Sequence, residues 1–360
     1  MKNKLKQTLT ELTALDGAPG FEQPVVQYLA DKFKAAGAMV TVDTMGNLYA
    51  SMGDKNAGPH LLLAAHSDEI GAVVRHVDVD GFLRIDPLGG FLPAHLLAQR
   101  VRVGSHLGVV GIRPGHLHTG NDASPIPPFS ELFIDVGARS SQEVAEMGIQ
   151  IGSPVTYAAS LATFGNADRV TGKAIDNRLG CAVLLHLFDS LSSSDFPGQV
   201  TGLVAVQEEV GFRGATVAAY RAQADYAVVV DTFPVGDTPG IVAGRMPGAL
   251  GKGPVLVIAA SSAKSGRGHI AHPRVQAWLE AAANRAAVSI QRATSVGIAI
   301  SDAAAVHLSR EGVPTGVLGL PRRYSHSPVC TFDLNDGVMA IDLLRQFVSD
   351  MPNHDNFNFI

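Results

Sequence analysis

The stretch TGLVAVQEEVGFRGATVAAYRAQADYAVVVD, residues 201–231, indicates the fold class of this chain. Its ends, TGLVAVQ and YAVVVD, are short apolar runs typical of buried strands, and ATVAAYRAQA between them is predicted to be a helix. A strand, a helix and a second strand in this order favour two parallel strands joined by a crossover in one sheet. Two adjacent carboxylates, Glu208 and Glu209, follow the first of these strands.

Helices and buried strands continue to alternate on both sides of this unit. The segment PHLLLAAHSDE, 59–69, has an apolar run too short for a typical helix and is predicted to be a central strand. Further helices are predicted within 5–33 and over 178–191, 272–287, 302–312 and 333–351, with another strand over 313–320. The sequence therefore predicts one α/β domain, residues 1–70 plus 167–360, with a mostly parallel, helix-flanked sheet.

The segment between these two parts has a different pattern. AVVRHVDVDGFLRID (72–86) alternates apolar and polar residues around Asp80-Gly81, and RVRVGSHLGVVGI (100–112) is similar, so each is predicted to be a hairpin. One helix is predicted at 140–148, where Ser140 and Glu143 have the spacing of a capping box. Residues 71–166 are therefore expected to form an inserted β-rich domain.

Composition excludes several classes of partner. The chain has 360 residues, 17% of them charged, and a formal net charge of −5, so it lacks the basic surface that nucleic acid requires. The N-terminal residues contain no apolar stretch of the signal-peptide kind, and no run approaches the roughly 20 apolar residues of a membrane span. The two cysteines, Cys181 and Cys330, are far apart and form no CxxC motif. We expect a cytoplasmic protein without a membrane or nucleic-acid partner.

Metal-binding types of side chain occur where the predicted strands end. In an open α/β sheet, ligands bind beyond the carboxyl ends of the strands, so residues at those ends are candidates for a site. The candidates that follow strands, or that precede a helix in one case, are His66, Asp68, Asp176, Glu208, Glu209, Asp231 and His326.

This set of side chains favours a site with two metal ions. Imidazole and carboxylate without thiolate suit Zn, Co or Mn. Two histidines and three or more carboxylates exceed what one tetrahedral ion with an open position needs, but they suit two ions that share a bridging carboxylate and a water. Taken singly, each residue also has a structural interpretation, since a strand-end histidine is commonly only hydrogen-bonded and Asp176 or Asp231 could cap a helix or turn. The sequence contains no HExxH, GxSxG, Walker or GxGxxG motif.

Six motifs along the chain resemble one family of enzymes. They are AAHSDEIG, GKAIDNRLG, QEEVGFRGA, VVVDTFPVGDTP, SDAAAVHL and RRYSHSP. In order and context they are similar to those of the M42 metallo-aminopeptidases, the group of tetrahedral and glutamyl aminopeptidases, over nearly the whole chain. The resemblance implies that His66 and Asp231 bind one ion, that Glu209 and His326 bind the other, and that Asp176 bridges both.

The resemblance also implies roles for the two remaining candidates and for the insertion. Asp68 would hold the His66 imidazole or its ion in orientation, and Glu208 would be the general base that moves a proton from the attacking water to the leaving amine. The insertion, 71–166, would be a PDZ-like dimerisation domain, and the assembly a dodecamer with its active sites facing an inner cavity. The substrates implied are short peptides, cleaved at their N-termini with two divalent ions, Zn, Co or Mn.

Other functions remain open at this stage. The segment 251–275 has no acidic residue after its apolar strand, and Ile300-Ser301 precedes Asp302 where a Gly-Thr is commoner in the family. These differences allow hydrolysis of another small amide, such as an N-acyl or lactam-like compound, at the same site. A scaffold or chaperone-like assembly is a further alternative. Members of the family have also been labelled endoglucanases. A glycosidase would need two carboxylates flanking a sugar bond, and its activity would persist after metal ions are removed by a chelator.

Overall fold

The structure is a computed structural model that describes residues 1–112, 126–242, 244–263, 265–351 and 357. Its helices are α1 (Lys2–Ala14), α2 (Gln23–Ala35), α3 (Pro93–Leu96), α4 (Ser141–Glu146), α5 (Ile175–Asp189), α6 (Arg213–Ala222), α7 (Pro273–Arg285), α8 (Ala303–Val306) and α9 (Leu334–Ser349). Within these described ranges, no helix is both long enough and apolar enough to cross a membrane.

The strands of the described ranges form two separate β-structures. In chain order they are β1 (Met39–Val42), β2 (Leu48–Gly53), β3 (His60–His66), β4 (Gly71–Val77), β5 (Leu83–Leu88), β6 (Arg100–Val103), β7 (His106–Val110), β8 (Ile134–Asp135), β9 (Pro154–Tyr157), β10 (Ala162–Thr163), β11 (Arg169–Gly172), β12 (Gln199–Ala205), β13 (Tyr226–Pro234), β14 (Val255–Ser261), β15 (Gly268–Ile270), β16 (Gln291–Ser295), β17 (Thr315–Arg323) and β18 (Cys330–Asp333).

The larger structure is a mixed sheet of 12 described strands. Its main path runs β1-β2-β12-β3-β13-β17-β18-β11-β10, and β14 to β16 extend it beside β17. The centre, β12-β3-β13-β17, is parallel as predicted, because helices provide the crossovers. The prediction of a mostly parallel sheet is wrong for the outer strands, since β2 pairs antiparallel with β12, and both β14 and β18 pair antiparallel with β17. Short connections such as the one between β1 and β2 permit only antiparallel pairing.

Alternate residues of the central strands face two hydrophobic cores. On β3, Leu61 and Leu63 pack into a core that includes side chains of α1, α2, α5, α7 and α9. Leu62 and Ala64 point the other way, into a core with α6 and α8. A strand buried on both faces needs apolar residues at every position, which explains the unbroken run LLLAA at 61–65.

The smaller structure is a closed barrel of the described strands β4-β5-β8-β7-β6-β9. Both predicted hairpins occur in it, as antiparallel pairs of β4 with β5 and of β6 with β7. The predicted helix is α4, and the Ser140 hydroxyl accepts a hydrogen bond from the Glu143 amide while the Glu143 carboxylate accepts one from Arg139. Residues 113–125 of the predicted insertion lie outside the described residues. Near its end, β10 already pairs with β11 of the large sheet.

One predicted helix is much shorter than expected. The pattern of 302–312 favours a helix throughout, but α8 ends at Val306. The amides of Leu308 and Ser309 then bond to carbonyls three residues back, and Arg310 adopts a positive φ of 55°. Tight turns therefore replace the helix, because a residue in the left-handed region cannot continue it.

Candidate metal centre

The central strands bring the predicted site residues to one edge of the sheet. His66 is the last residue of β3, and its partner in the parallel register is Ala205, the last residue of β12. Glu208 and Glu209 therefore follow the neighbouring strand at the same level. Asp231 lies in β13, His326 follows β17, and Asp176 lies at the start of α5.

The Nε2 of His66 faces three carboxylates. Its Nε2 lies 3.5 Å from Asp176 Oδ1, 3.6 Å from Asp231 Oδ1 and 4.0 Å from Glu208 Oε2. Its Nδ1 lies 3.1 Å from the carbonyl oxygen of Asp68, to which it can only donate. That hydrogen bond leaves the lone pair of the imidazole on Nε2, which is the form that binds a metal ion.

A second group forms around His326. Its Nε2 lies 3.4 Å from Asp176 Oδ2 and 3.5 Å from Glu209 Oε1. Asp176 therefore directs one carboxylate oxygen to each imidazole. This is the arrangement that a carboxylate bridging two ions requires.

Among the residues that the structure describes, two sets of ligand atoms are close enough to hold an ion. Within each set the atoms lie no more than 4.8 Å apart, and the sets are His66 with Asp176 and Glu209, and His66 with Glu208 and Asp231. Distance alone therefore places Glu208 as near to a candidate ion position as the residues predicted to be ligands. The division of the two glutamates into ligand and base stays a prediction.

Negative charge is concentrated in this buried site. Burial, together with the carboxylates of Asp302 and Asp231, raises the pKa of Glu208 well above its usual range, although His66 opposes the shift. Burial also raises the pKa of Glu209 to about 7 against the opposing effect of His326. A divalent cation would remove this electrostatic cost, so the donor set fits metal ions.

Asp176 behaves differently from its neighbours. Burial alone would raise its pKa, but the Arg322 guanidinium and the imidazoles of His326 and His66 hold that pKa well below its usual range. Asp176 is therefore ionised at neutral pH. A carboxylate must be ionised to bridge two cations.

Asp68 makes more contacts than its predicted role requires. It is fully buried, and its Oδ1 lies 3.4 Å from His66 Nδ1. The same carboxylate accepts hydrogen bonds of 3.0 Å from the backbone amides of both Glu208 and Glu209. It therefore connects the loop after β3 to the loop after β12 and holds the backbone of both glutamates in position.

We expect Asp68→Asn to lower metal affinity and kcat/KM by about 10- to 100-fold, the usual effect of removing support behind metal ligands. The amide keeps the shape of the carboxylate, but its NH₂ group cannot accept one of the two backbone hydrogen bonds. Isothermal titration with Zn²⁺ or Mn²⁺ and steady-state kinetics measure both effects. Asp31→Asn, on the exposed surface of α2, is the matched control, and equal behaviour of the two variants would contradict this role of Asp68.

Three residues near the site were not predicted to belong to it. Thr232 Oγ1 donates to Asp176 Oδ1 at 2.7 Å, and Arg322 Nη2 lies 2.7 Å from Asp176 Oδ2. Asp302 is buried, and neither of its carboxylate oxygens has a hydrogen-bond partner among the described residues. Burial raises the pKa of Asp302 to about 8. The sequence signal that could have found Arg322 is its position, since it is a charged residue near the end of the apolar run TGVLGLPRR.

A cavity of about 750 Å³ opens beside these residues. Phe212, Met246 and Ile298 contribute apolar surface to its lining, and Ser262 and Arg267 come from the segment 251–275. Position 264 of that stretch lies outside the described residues. The segment that differs from the family pattern therefore lines the cavity beside the candidate metal ligands.

The barrel also reaches the site. Gly90, just after β5, packs so closely that a Cβ on it would lie 2.2 Å from His326 Nδ1, and one on Gly89 would lie 3.0 Å from Glu209 Cβ. His95, in α3, donates from Nδ1 to the His326 carbonyl oxygen at 2.9 Å. Only glycine fits this close approach, so the segment after β5 forms one wall of the second group of ligands.

Comparison with known proteins shows the family of this chain. The family model described as M42 glutamyl aminopeptidase matches residues 46–343. The chain belongs to the M42 family. This is a family of metallopeptidases. The acidic and histidine groups described above could hold a metal in this chain.

Individual relatives match almost the whole M42 chain. The glutamyl aminopeptidase of Lactococcus lactis is 33% identical over 347 residues, which cover 94% of each chain. Among solved structures, aminopeptidase APDkam598 of Desulfurococcus kamchatkensis has a TM-score of 0.90 at 34% identity and covers 97% of this chain and 96% of its own. The TET1 peptidase of Pyrococcus horikoshii, which can assemble into a tetrahedron or a large octahedral shell, has a TM-score of 0.84 at 26% identity, with coverage of 96% and 100%.

Proposed function

We propose that this chain is an aminopeptidase that removes N-terminal residues from short peptides with two divalent metal ions. The main observation in support is the position of Asp176, whose oxygens lie 3.5 Å from the His66 Nε2 and 3.4 Å from the His326 Nε2. His66 and Asp231 would hold one ion, and Glu209 and His326 the other. Family membership and the names of the relatives support the aminopeptidase activity.

Metal ions bound here would polarise the scissile carbonyl and acidify the attacking water. Glu208 is 7% exposed and lines the cavity just after β12, where it would face both the water and the substrate. Its carboxylate would accept the proton of the water and deliver it to the leaving amine. Asp68 would keep Glu208 and Glu209 in place through their amides.

The proposal also covers assembly. The TET1 relative forms shells of many subunits, which supports a homo-oligomer for this chain. We propose that the barrel is the dimerisation unit predicted for 71–166 and that the assembly is a dodecamer. The predicted cytoplasmic location stays a prediction. The similarity to aminopeptidases does not favour the small-amide or scaffold alternatives.

A panel of aminoacyl-arylamides, assayed after chelation and readdition of single metals, tests this function. We expect chelation to abolish cleavage and Zn²⁺, Co²⁺ or Mn²⁺ to restore it, while N-acetylated versions of the same substrates stay intact because they lack the free amine. Cleavage of N-acyl amino acids with no cleavage of aminoacyl-arylamides would contradict the proposal. Activity that persists after complete removal of metal would contradict the metal mechanism.

A further inference from the structure

Arg322 has no part in the proposed reaction, yet it contacts the central carboxylate of the site. It lies near the end of β17 and is only 6% exposed. Its Nη2 is 2.7 Å from Asp176 Oδ2, the same oxygen that lies 3.4 Å from His326 Nε2. Arg322 and an ion held by His326 would therefore use the same acceptor atom.

In the described part of the chain, Arg322 has one ion-pair partner, the Asp176 carboxylate. Among the described residues, its Nε and Nη1 are buried without a hydrogen-bond partner. The next residue, Arg323, is paired differently, because its Nε and Nη2 both bind Asp237, at 2.7 Å and 2.6 Å. A guanidinium cannot lose its proton in a protein, so Arg322 stays positive. Asp176 is the carboxylate in direct contact with it, and Asp231 and Glu209 attract it more weakly.

The two ends of the Asp176 carboxylate are therefore unequal. Oδ1, on the His66 side, accepts a hydrogen bond of 2.7 Å from the neutral Thr232 hydroxyl. Oδ2, on the His326 side, is paired with the cation Arg322. A hydroxyl does not repel a metal ion, whereas a guanidinium does.

The solvent exposure of the two histidines also favours weaker metal binding on the His326 side. The side chain of His66 is 2% exposed, while that of His326 is 31% exposed. The ligand on the Arg322 side is thus the one that water reaches. A more exposed ligand exchanges its ion more readily, because water can replace the protein donor.

We propose that Arg322 weakens metal binding at the Glu209 and His326 position relative to the His66 and Asp231 position, so that the two ions bind in order. This inference rests on the proposed function. An ion at the second position would compete with the buried Arg322 guanidinium for the Asp176 carboxylate. The positive guanidinium would also repel that ion. At limiting metal the protein would hold one ion, and the supply of the second would control activity.

Isothermal titration of the metal-free protein with Zn²⁺ or Mn²⁺, at one fixed pH, tests the proposal. The wild type should bind in two steps of different affinity. Arg322→Met and Arg322→Gln both remove the charge, and the glutamine amide can still donate to Asp176. In both, the second step should become tighter by about tenfold or more, while the first changes by less than about threefold. Arg322→Lys, which keeps the charge, should leave the second step weak.

Arg323→Met is the matched control, because it removes a neighbouring guanidinium that pairs with Asp237, and neither step should change. Unchanged or weaker second-step binding in Arg322→Gln would overturn the inference and leave Arg322 as a support for Asp176. A wild type that binds two ions and is active, with this result in Arg322→Gln, refutes only the inference. A wild type that binds no ion, or shows no metal-dependent cleavage, refutes the proposed function itself.

Discussion

Glu208→Gln should keep both metal ions and lose turnover by about 10³-fold, within the usual range for removal of a general acid–base. The amide has the size of the carboxylate but cannot accept the proton of the attacking water. The backbone amide of residue 208 would still bond to Asp68, so the loop should keep its position. The measurements are kcat on an aminoacyl-arylamide and metal content after dialysis.

A loss of metal in Glu208→Gln would mean that Glu208 is a ligand, which its distance of 4.0 Å from His66 Nε2 also permits. Normal turnover with both ions present would remove Glu208 from the mechanism altogether. The pH dependence of kcat gives a second measurement. The pKa of the acid–base group, present in the wild-type profile, should be missing from the profile of the variant.

Glu209→Gln should have the opposite pattern. We expect it to lose the ion at the His326 position and to fall in activity by about 10²-fold at limiting metal, with partial recovery in excess metal. An amide oxygen carries no negative charge and binds a divalent cation more weakly. Metal analysis of the dialysed protein, compared with Glu208→Gln under the same conditions, measures the difference.

The two glutamate variants are matched controls for each other, since they are adjacent and both backbone amides bind Asp68. Full metal content in Glu209→Gln together with metal loss in Glu208→Gln would show that the two roles are exchanged. Loss of metal in both would show that each is a ligand and that another group moves the proton.

The centre of the sheet could be predicted because its signals are local. Continuous apolar runs such as LLLAA, and helices with clear periodicity between them, indicate parallel strands without knowledge of the rest of the chain. The outer strands lack this signal. β1, MVTV, is mostly exposed, and β10 has only two residues, so their positions depend on pairing with partners far along the chain.

Some residues of the candidate site could be predicted from the sequence, but their contacts could not. The position of polar residues at strand ends selected His66, Glu208 and Asp231, because a sheet brings its strand ends together. The contacts of Asp68 and Arg322 could not be predicted, since they depend on the register of β12 and β17 and on side-chain directions. A sequence pattern gives the residues of a site, but the partner of each side chain is a property of the folded chain.

The close approach of Gly90 to His326 makes the barrel a structural part of the proposed metal site. If barrels are the surfaces that join subunits, a movement at the subunit contact would reach the His326 ring through Gly90 and its carbonyl through His95. An exchange of barrels between related enzymes would therefore replace a wall of the proposed metal site along with the contact surface. Quaternary structure and chemistry in this chain would have to evolve together.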